Sequence, residues 1–271
     1  MIYRVLSAEP LLAAGASAGP VLGLETGSAS ASLGLVDGGR IVAALSREVK
    51  SHGADLPALV DELLGKAGLK IRDLSAIAIG IGPGSFTGLR IGLSYVKGLA
   101  VGARLQIVGV PSLDAIALCG STSPLARPGV SIFSILDARK GEIYVSLYRI
   151  VTDALEKMIG DLVVPLDEFA SRITGEVLFV GESKAEDAKA LVKHNGGKAD
   201  TIGAAGFARR GSFVAALGAV RVARNDVDEV ATLEPLYVRA SGASVKSTAV
   251  DPGEGTHGTS RGSVDPAACG S

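Results

Sequence analysis

The sequence predicts an α/β protein built as two similar lobes, each a mixed sheet in which a short antiparallel meander leads into helix-connected strands. Three observations predict it. Short apolar runs come as strand, turn, strand at the start of each half, at 21–36 and again at 131–150. Segments of helical periodicity and further short apolar runs follow each group. An acidic residue closes the first run of each group, Glu25 in "LGLETG" and Asp137 in "SILDARKG", as an internal duplication would leave it.

The elements follow in order. "VLGLET" (21–26) and "SASLGLV" (30–36) flank a Gly/Ser-rich turn, and "DGG" (37–39) turns the chain into "RIVAALSREV" (40–49), which alternates like a third strand. "DLPALVDELLGKAG" (55–68) reads as a helix with Asp55 as N-cap, Pro57 in its first turn, and Gly65 and Gly68 at its end. Leu56, Leu59, Leu63 and Ala67 fall on one face of it. "LSAIAIGIG" (74–82) is a nearly continuous apolar run, which marks a strand covered on both faces. A long helix and the strand "IVGV" (107–110) complete a βββαβαβ order. The second half gives strands at 131–137, 142–150 and 177–181, and helices at 184–194 and 206–224.

Composition narrows the function. The chain has 271 residues, with 27 Lys+Arg against 28 Asp+Glu, a balance unlike that of proteins that hold nucleic acid by a basic surface. Aromatic residues are few and Trp is absent, which argues against a base-stacking platform. Cys119 and Cys269 lie far apart and suit a reducing, cytoplasmic setting better than a disulfide or zinc site. The opening segment 1–19 is expected to be disordered or a mis-assigned extension, because Glu9 and Pro10 break the apolar run a secretory signal needs. No run approaches the ~20 apolar residues of a membrane span. Residues 241–271, rich in Gly, Ser, Thr and Pro, are expected to be a disordered tail.

The stretch "GIGPGSFTGLRIGLSYVKGLA" (80–100) admits several readings. A dinucleotide fingerprint would use Gly82, Gly84 and Gly88, but no acidic residue follows "IVGV" to hold a ribose, and three strands precede the motif. A P-loop fails because no Lys-Ser/Thr pair follows the glycines. As a helix, Phe86, Leu89, Leu93, Val96 and Ala100 make one apolar stripe, Gly88 and Gly92 a smooth strip beside it, and Gly98 and Gly102 a second strip. Interior glycines cost a helix about 1 kcal/mol each relative to alanine, so close packing must compensate. The glycines admit either a neighbouring element of this chain or a second chain.

"VLGLETGSASASLGLVDGGRIVAAL", "LPALVDELLGKAGL", "GPGSFTGLRIGL" with "KGLA", and "IVGVPSLDAIA" resemble the TsaB (YeaZ) family, and "DARKGEIYVSLY" and "LEPLYVR" resemble its second lobe and C-terminal end. The resemblance covers roughly residues 20–240. It implies an actin-like ATPase (ASKHA) fold of two ribonuclease-H-like lobes with mixed sheets, here at 20–118 and 119–240. It also implies a non-catalytic subunit that binds and activates the catalytic paralogue TsaD in threonylcarbamoylation of adenosine 37 of tRNA. The implied partners are TsaD, the ATPase TsaE through the complex, a second copy of the chain when alone, and tRNA only indirectly. The catalytic family's "HLEGH"-type histidine pair corresponds here to "SLDAI", with Ser112 and Ile116 at the two positions.

The resemblance further implies a helix-bundle interface on about 55–67 and 86–102. The expected interface residues are Leu56, Leu59, Leu63, Phe86, Gly88, Leu89, Gly92, Leu93, Val96 and Leu99. No catalytic, cofactor or metal residue is assigned. Glu25 at a strand end could hold hydrated magnesium or simply fix its turn, and Arg139 and Lys140 put bulk where a phosphate-binding turn needs small residues. The alternative is a small-molecule kinase of the same superfamily, with Glu25 on magnesium. A protease built on Ser85 lacks a suitable histidine among His52, His194 and His257.

Overall fold

The computed structural model describes residues 4–6, 13–49, 52–151, 154–181, 183–203 and 208–238. A short strand β1 (Arg4–Leu6) and a 3-10 turn at Ala16–Ala18 precede the first meander. Strands β2 (Val21–Glu25), β3 (Ser30–Asp37) and β4 (Arg40–Glu48) then run antiparallel in sequence. Helix α1 (His52–Ala67) leads to β5 (Ala76–Gly82), parallel to β2, and α2 (Phe86–Ala103) leads to β6 (Gln106–Pro111), parallel to β5. The sheet order is β4-β3-β2-β5-β6.

Helix α3 (Ser112–Ser121) carries the chain to the second lobe, where β7 (Ser131–Arg139), β8 (Glu142–Val151) and β9 (Ala154–Pro165) form a second meander. Helix α4 (Leu166–Ser171), β10 (Glu176–Gly181), α5 (Ser183–His194), β11 (Lys198–Ile202) and α6 (Arg210–Ala223) follow. This sheet reads β1-β9-β8-β7-β10-β11, so apart from β1 the two lobes share one strand order. The duplication expected from two meanders and two acidic residues is therefore a duplication of whole sheets.

Packing follows from which faces are apolar. Leu22, Leu24, Ile77 and Ile79 meet Leu56, Leu59, Leu63, Leu93 and Val96 on the outer face of the first sheet. Val21, Ala76 and Ala78 on its inner face join Phe213, Ala215 and Ala219 of α6, Leu113 and Ile116 of α3, and Ile132, Tyr148 and Leu178 of the second sheet. The far face of the second sheet packs on α4 and α5 through Phe133, Ile135, Val145, Phe179 and Ala188. Five layers result, with α3 and α6 shared between the sheets. Helix α6 lies on β2 and β3 at backbone distance: a Cβ at Gly34 would come 2.3 Å from the Ser212 Cα, and one at Gly211 2.4 Å from the Ser32 carbonyl oxygen.

Some expectations need correction. Helix α1 starts at His52, so Asp55 sits in its first turn, where a carboxylate favours the dipole, rather than at the cap. It runs through Gly65 to Ala67. Gly68, at φ 69°, closes it while the Leu69 N–H donates to the Leu64 carbonyl at 3.0 Å. Strand β9 was not foreseen, because its Gly160 and alternating charges hide a strand that is half-buried over much of its length. The segment expected to be disordered contributes β1, paired with β9, and Ala16–Ala18. The expected lobe division at 118/119 falls inside α3. The tail at 241–271 lies outside the described residues.

Beyond α6 the chain runs back along the first lobe. The Asp228 N–H donates to the Ile107 carbonyl at 3.0 Å and the Leu236 N–H to the Ile81 carbonyl at 2.7 Å. The Gly109 N–H donates to Asp228 Oδ2 at 2.8 Å, and Arg221 holds both Asp226 and Asp228. This strap covers the open edge at β6, which is otherwise a site for unwanted strand pairing.

Candidate functional site

Two regions matter: the glycine-rich helix α2 with its neighbour α1, and the cleft between the lobes. At the head of α2 the Ser85 hydroxyl accepts from the Gly88 N–H at 3.3 Å, an N-cap, while the Ser85 N–H donates to the Gly27 carbonyl at 2.7 Å. Gly88 and Gly92 are buried against Thr26. A Cβ at Gly88 would lie 2.2 Å from the Thr26 carbonyl oxygen, and one at Gly92 2.2 Å from Thr26 Oγ1. The Thr26 hydroxyl in turn donates to the Gly88 carbonyl at 3.0 Å. The first glycine strip therefore admits the chain's own β2 end.

The expected interface residues separate accordingly. Leu56, Leu59, Leu63, Gly88, Leu89, Gly92, Leu93 and Val96 are buried inside this chain, so they support the helices from within and offer no surface to a partner. The reason is that a stripe of apolar residues faces whichever apolar layer lies nearest, and the first sheet lies nearest. Leu99 is half-buried against the same core, and Phe86 is 55% exposed. The outward surface of α2 carries Ser94, Gly98, Val101 and Gly102, with Val101 68% exposed and nothing among the described residues within 4 Å of a Cβ at either glycine. Helix α1 exposes Gly53, Ala54, Pro57, Ala58 and Asp61. Between them burial pushes the Tyr95 hydroxyl up to about 12, with the Asp61 carboxylate adding to the shift.

The inter-lobe cleft has a volume of about 700 Å³ and is lined by Gly27–Ala29, Gly84–Gly88, Ile135–Arg139, Tyr144 and Lys184. The two carboxylates that close the first strand of each lobe do one job in both. Glu25 Oε1 accepts from the Gly27 N–H at 2.8 Å, and Asp137 Oδ1 accepts from the Arg139 N–H at 2.8 Å. Glu25 is only 2% exposed and is pressed against Gly80, where a Cβ would lie 2.1 Å from Oε2. Its Oε2 accepts no hydrogen bond among the described residues, but at that burial, closed over by Gly80, it does not fit the role of a hydrated-magnesium ligand. Across the cleft, Arg139 at φ 71° and Lys140 at φ 51° hold left-handed backbone without being glycine. Both carry long, exposed side chains where a phosphate-binding turn needs small residues, so they do not fit a magnesium–nucleotide pair.

The stretch that the family resemblance sets against a histidine pair, Ser112–Ile116, is folded into the interior. The Ser112 hydroxyl accepts from the Gly82 N–H at 3.1 Å, and Ile116 is buried in the central layer. Between them Asp114 Oδ1 accepts from Tyr148 Oη at 2.6 Å and from Lys157 Nζ at 2.8 Å, and Lys157 also reaches Asp161 at 2.6 Å. Burial, with Asp114 alongside, holds the Tyr148 hydroxyl well above the usual tyrosine range. Burial opposes the Lys157 charge, but Asp114 and Asp161 outweigh it and raise its pKa. No cluster of three or more His, Cys, Asp or Glu suited to a metal exists among the described residues. His194 closes α5, His52 opens α1, and His257 lies outside the described residues.

One group escapes sequence reasoning. Arg90 stacks on Phe86, with Cζ 4.0 Å from the ring centroid, and its Nε donates to the Tyr237 hydroxyl at 3.0 Å. The partners are 147 positions apart, so no local spacing announces the contact.

Two lobes of one sheet order, closed on a cleft and joined through shared central helices, make up an actin-like fold. The family model described as TsaD, tRNA N6-adenosine threonylcarbamoyltransferase, matches residues 46–246. The tRNA threonylcarbamoyladenosine biosynthesis protein TsaB of Bacillus subtilis (strain 168) is 31% identical over 201 residues, covering 73% of this chain and 83% of that protein. TsaB of Escherichia coli (strain K12) is 32% identical over 130 residues, covering 48% of this chain and 54% of that protein, so the match spans about half its length. The structure of YeaZ from Pseudomonas aeruginosa superposes with a TM-score of 0.64 at 22% identity, covering 81% of this chain and 100% of that one. The chain belongs to the TsaB (YeaZ) family. Among the described residues no helix is long and apolar enough to cross a membrane.

Proposed function

We propose that this chain acts in threonylcarbamoyladenosine formation on tRNA as a non-catalytic, cytoplasmic scaffold subunit. It binds the catalytic paralogue TsaD and holds it in a competent form, a population shift without chemistry of its own. The ATPase TsaE joins through that complex, and tRNA meets this subunit only indirectly. The observation that carries the reading is the fate of the histidine-pair positions: Ser112 opens α3 and caps the Gly82 N–H, and Ile116 fills the core, so this chain offers no imidazole there. Relatives named for the same biosynthesis support the pathway.

The docking face in this reading is the outer surface of α1 and α2. Gly98 and Gly102 have open space above them, so another helix can approach closely, and exposed Val101 supplies apolar contact beside them. In the absence of the paralogue the same face pairs two copies of this chain. Mixing the chain with its TsaD paralogue and measuring mass by size-exclusion chromatography with light scattering tests this. One copy of each is expected, and Val101→Arg should abolish the complex while leaving the melting temperature unchanged. Two separate peaks, with and without ATP, would remove the scaffold reading. A complex that survives Val101→Arg would remove this face.

A further inference from the structure

The exposed large apolar side chains of the described residues are mostly scattered, but Phe86 and Tyr237 come together, with Leu236 next along the strap. Phe86 is 55% exposed and Tyr237 48%, and their ring centroids are 5.7 Å apart. Arg90 lies against both. Its Cζ is 4.0 Å from the Phe86 centroid and 6.0 Å from that of Tyr237, and its Nε donates to the Tyr237 hydroxyl. Arg47, Arg172 and Arg221 each reach a carboxylate. Arg90 reaches none among the described residues, although it is exposed. Its side chain is thus fixed by stacking and by one hydrogen bond, and the two terminal nitrogens have no hydrogen-bond partner among the described residues.

Position adds the second part of the argument. Phe86, Arg90, Ser94, Gly98 and Gly102 are spaced by four along α2 and are all exposed, forming one row on its surface. A row that is small at 94, 98 and 102 is a groove for the ridge of another helix, and it ends at the clamped arginine. Resting on the docking face proposed above, we propose that Arg90, held between Phe86 and Tyr237, receives a carboxylate side chain of the docked protein partner. A guanidinium presents a planar fork that matches a carboxylate in shape and in single charge. A phosphate carries more charge than this one cation balances. Exposed aromatic surface around the pair becomes buried on docking and excludes water from it, the setting in which a tyrosine–arginine cluster dominates an interface. The nearby N-terminus of α2 favours the same negative charge.

Calorimetric titration of the intact chain with its TsaD paralogue tests the assignment, using wild type, Arg90→Ala, Arg90→Lys and Tyr237→Phe. Arg90→Ala is expected to weaken binding by about 30-fold. Arg90→Lys keeps the charge but loses the fork, and is expected to recover little of that loss. Tyr237→Phe should fall between it and wild type. Arg90→Lys, which keeps a long cation against the strap, should melt as wild type does and so separates binding from folding. Wild-type affinity in Arg90→Ala or Arg90→Lys overturns the proposal while leaving the scaffold reading intact. Absence of binding by the wild type removes both. A titration of the wild type with inorganic phosphate or ADP alone that gives heat, lost in Arg90→Ala, would assign the cluster to phosphate and overturn the carboxylate.

Discussion

Gly92 carries the clearest test of how the glycine-rich helix is used. A side chain there meets the hydroxyl and methyl of Thr26 at 2.2 and 3.0 Å, and that hydroxyl is bonded to Gly88, so neither can move freely. Gly92→Leu is expected to destabilise the isolated chain by about 3 kcal/mol or more, read as a lower melting temperature. Gly98→Leu, where a Cβ meets nothing within 4 Å among the described residues, would not. Cys119 gives a second test. Burial pushes its thiol up to about 11, against a partial opposing effect of Arg209 and Arg210. Because the folded pKa lies above the unfolded one, its contribution is complete below about pH 9 and is lost as pH rises towards 11. The native thiol should resist alkylation at pH 8, and Cys119→Ala should reduce the fall in melting temperature between pH 9 and 11.

Helix α3 is the element on which the lobes depend, and its one charged side chain shows how. Asp114 leaves the helix to meet Tyr148 of β8 and Lys157 of β9, with side-chain exposures of 7% for Asp114 and 14% for Lys157. Lys157→Met would leave Asp114 and Asp161 buried without their shared cation, at a cost of about 3–5 kcal/mol. Adding Asp114→Asn should return part of that loss, and a thermal-melting double-mutant cycle would measure the coupling. If the two losses simply add, the network is not a unit.

On the scale of the molecule, the first and last described segments tie one lobe to the other. The first strand, β1, pairs in the second sheet, and α6 with the strap packs on the first. The backbone contacts of Gly34 and Gly211 and the ion pairs of Arg221 therefore hold the lobes in one arrangement around the cleft. Such a body suits a subunit that presents a fixed face to a partner. The strap reaches the proposed docking face through Tyr237, which holds Arg90 at the end of the Arg90–Gly102 row.

The sequence alone determined the elements whose pattern is local: the apolar runs of β2, β5 and β7, the 3–4 stripes of α1 and α2, and the paired acidic positions of Glu25 and Asp137. Those signals survive in one dimension because each strand or helix must bury its own face. The family resemblance also set Ser112 and Ile116 at the positions of a histidine pair. Only the tertiary structure decided which way the glycines face. Spacing is the same for Gly88–Gly92 and Gly98–Gly102, yet Thr26 closes the first pair and no described residue closes the second. Only the fold, too, brought Tyr237 to Arg90, because that contact depends on α6 and the strap crossing back to the first lobe.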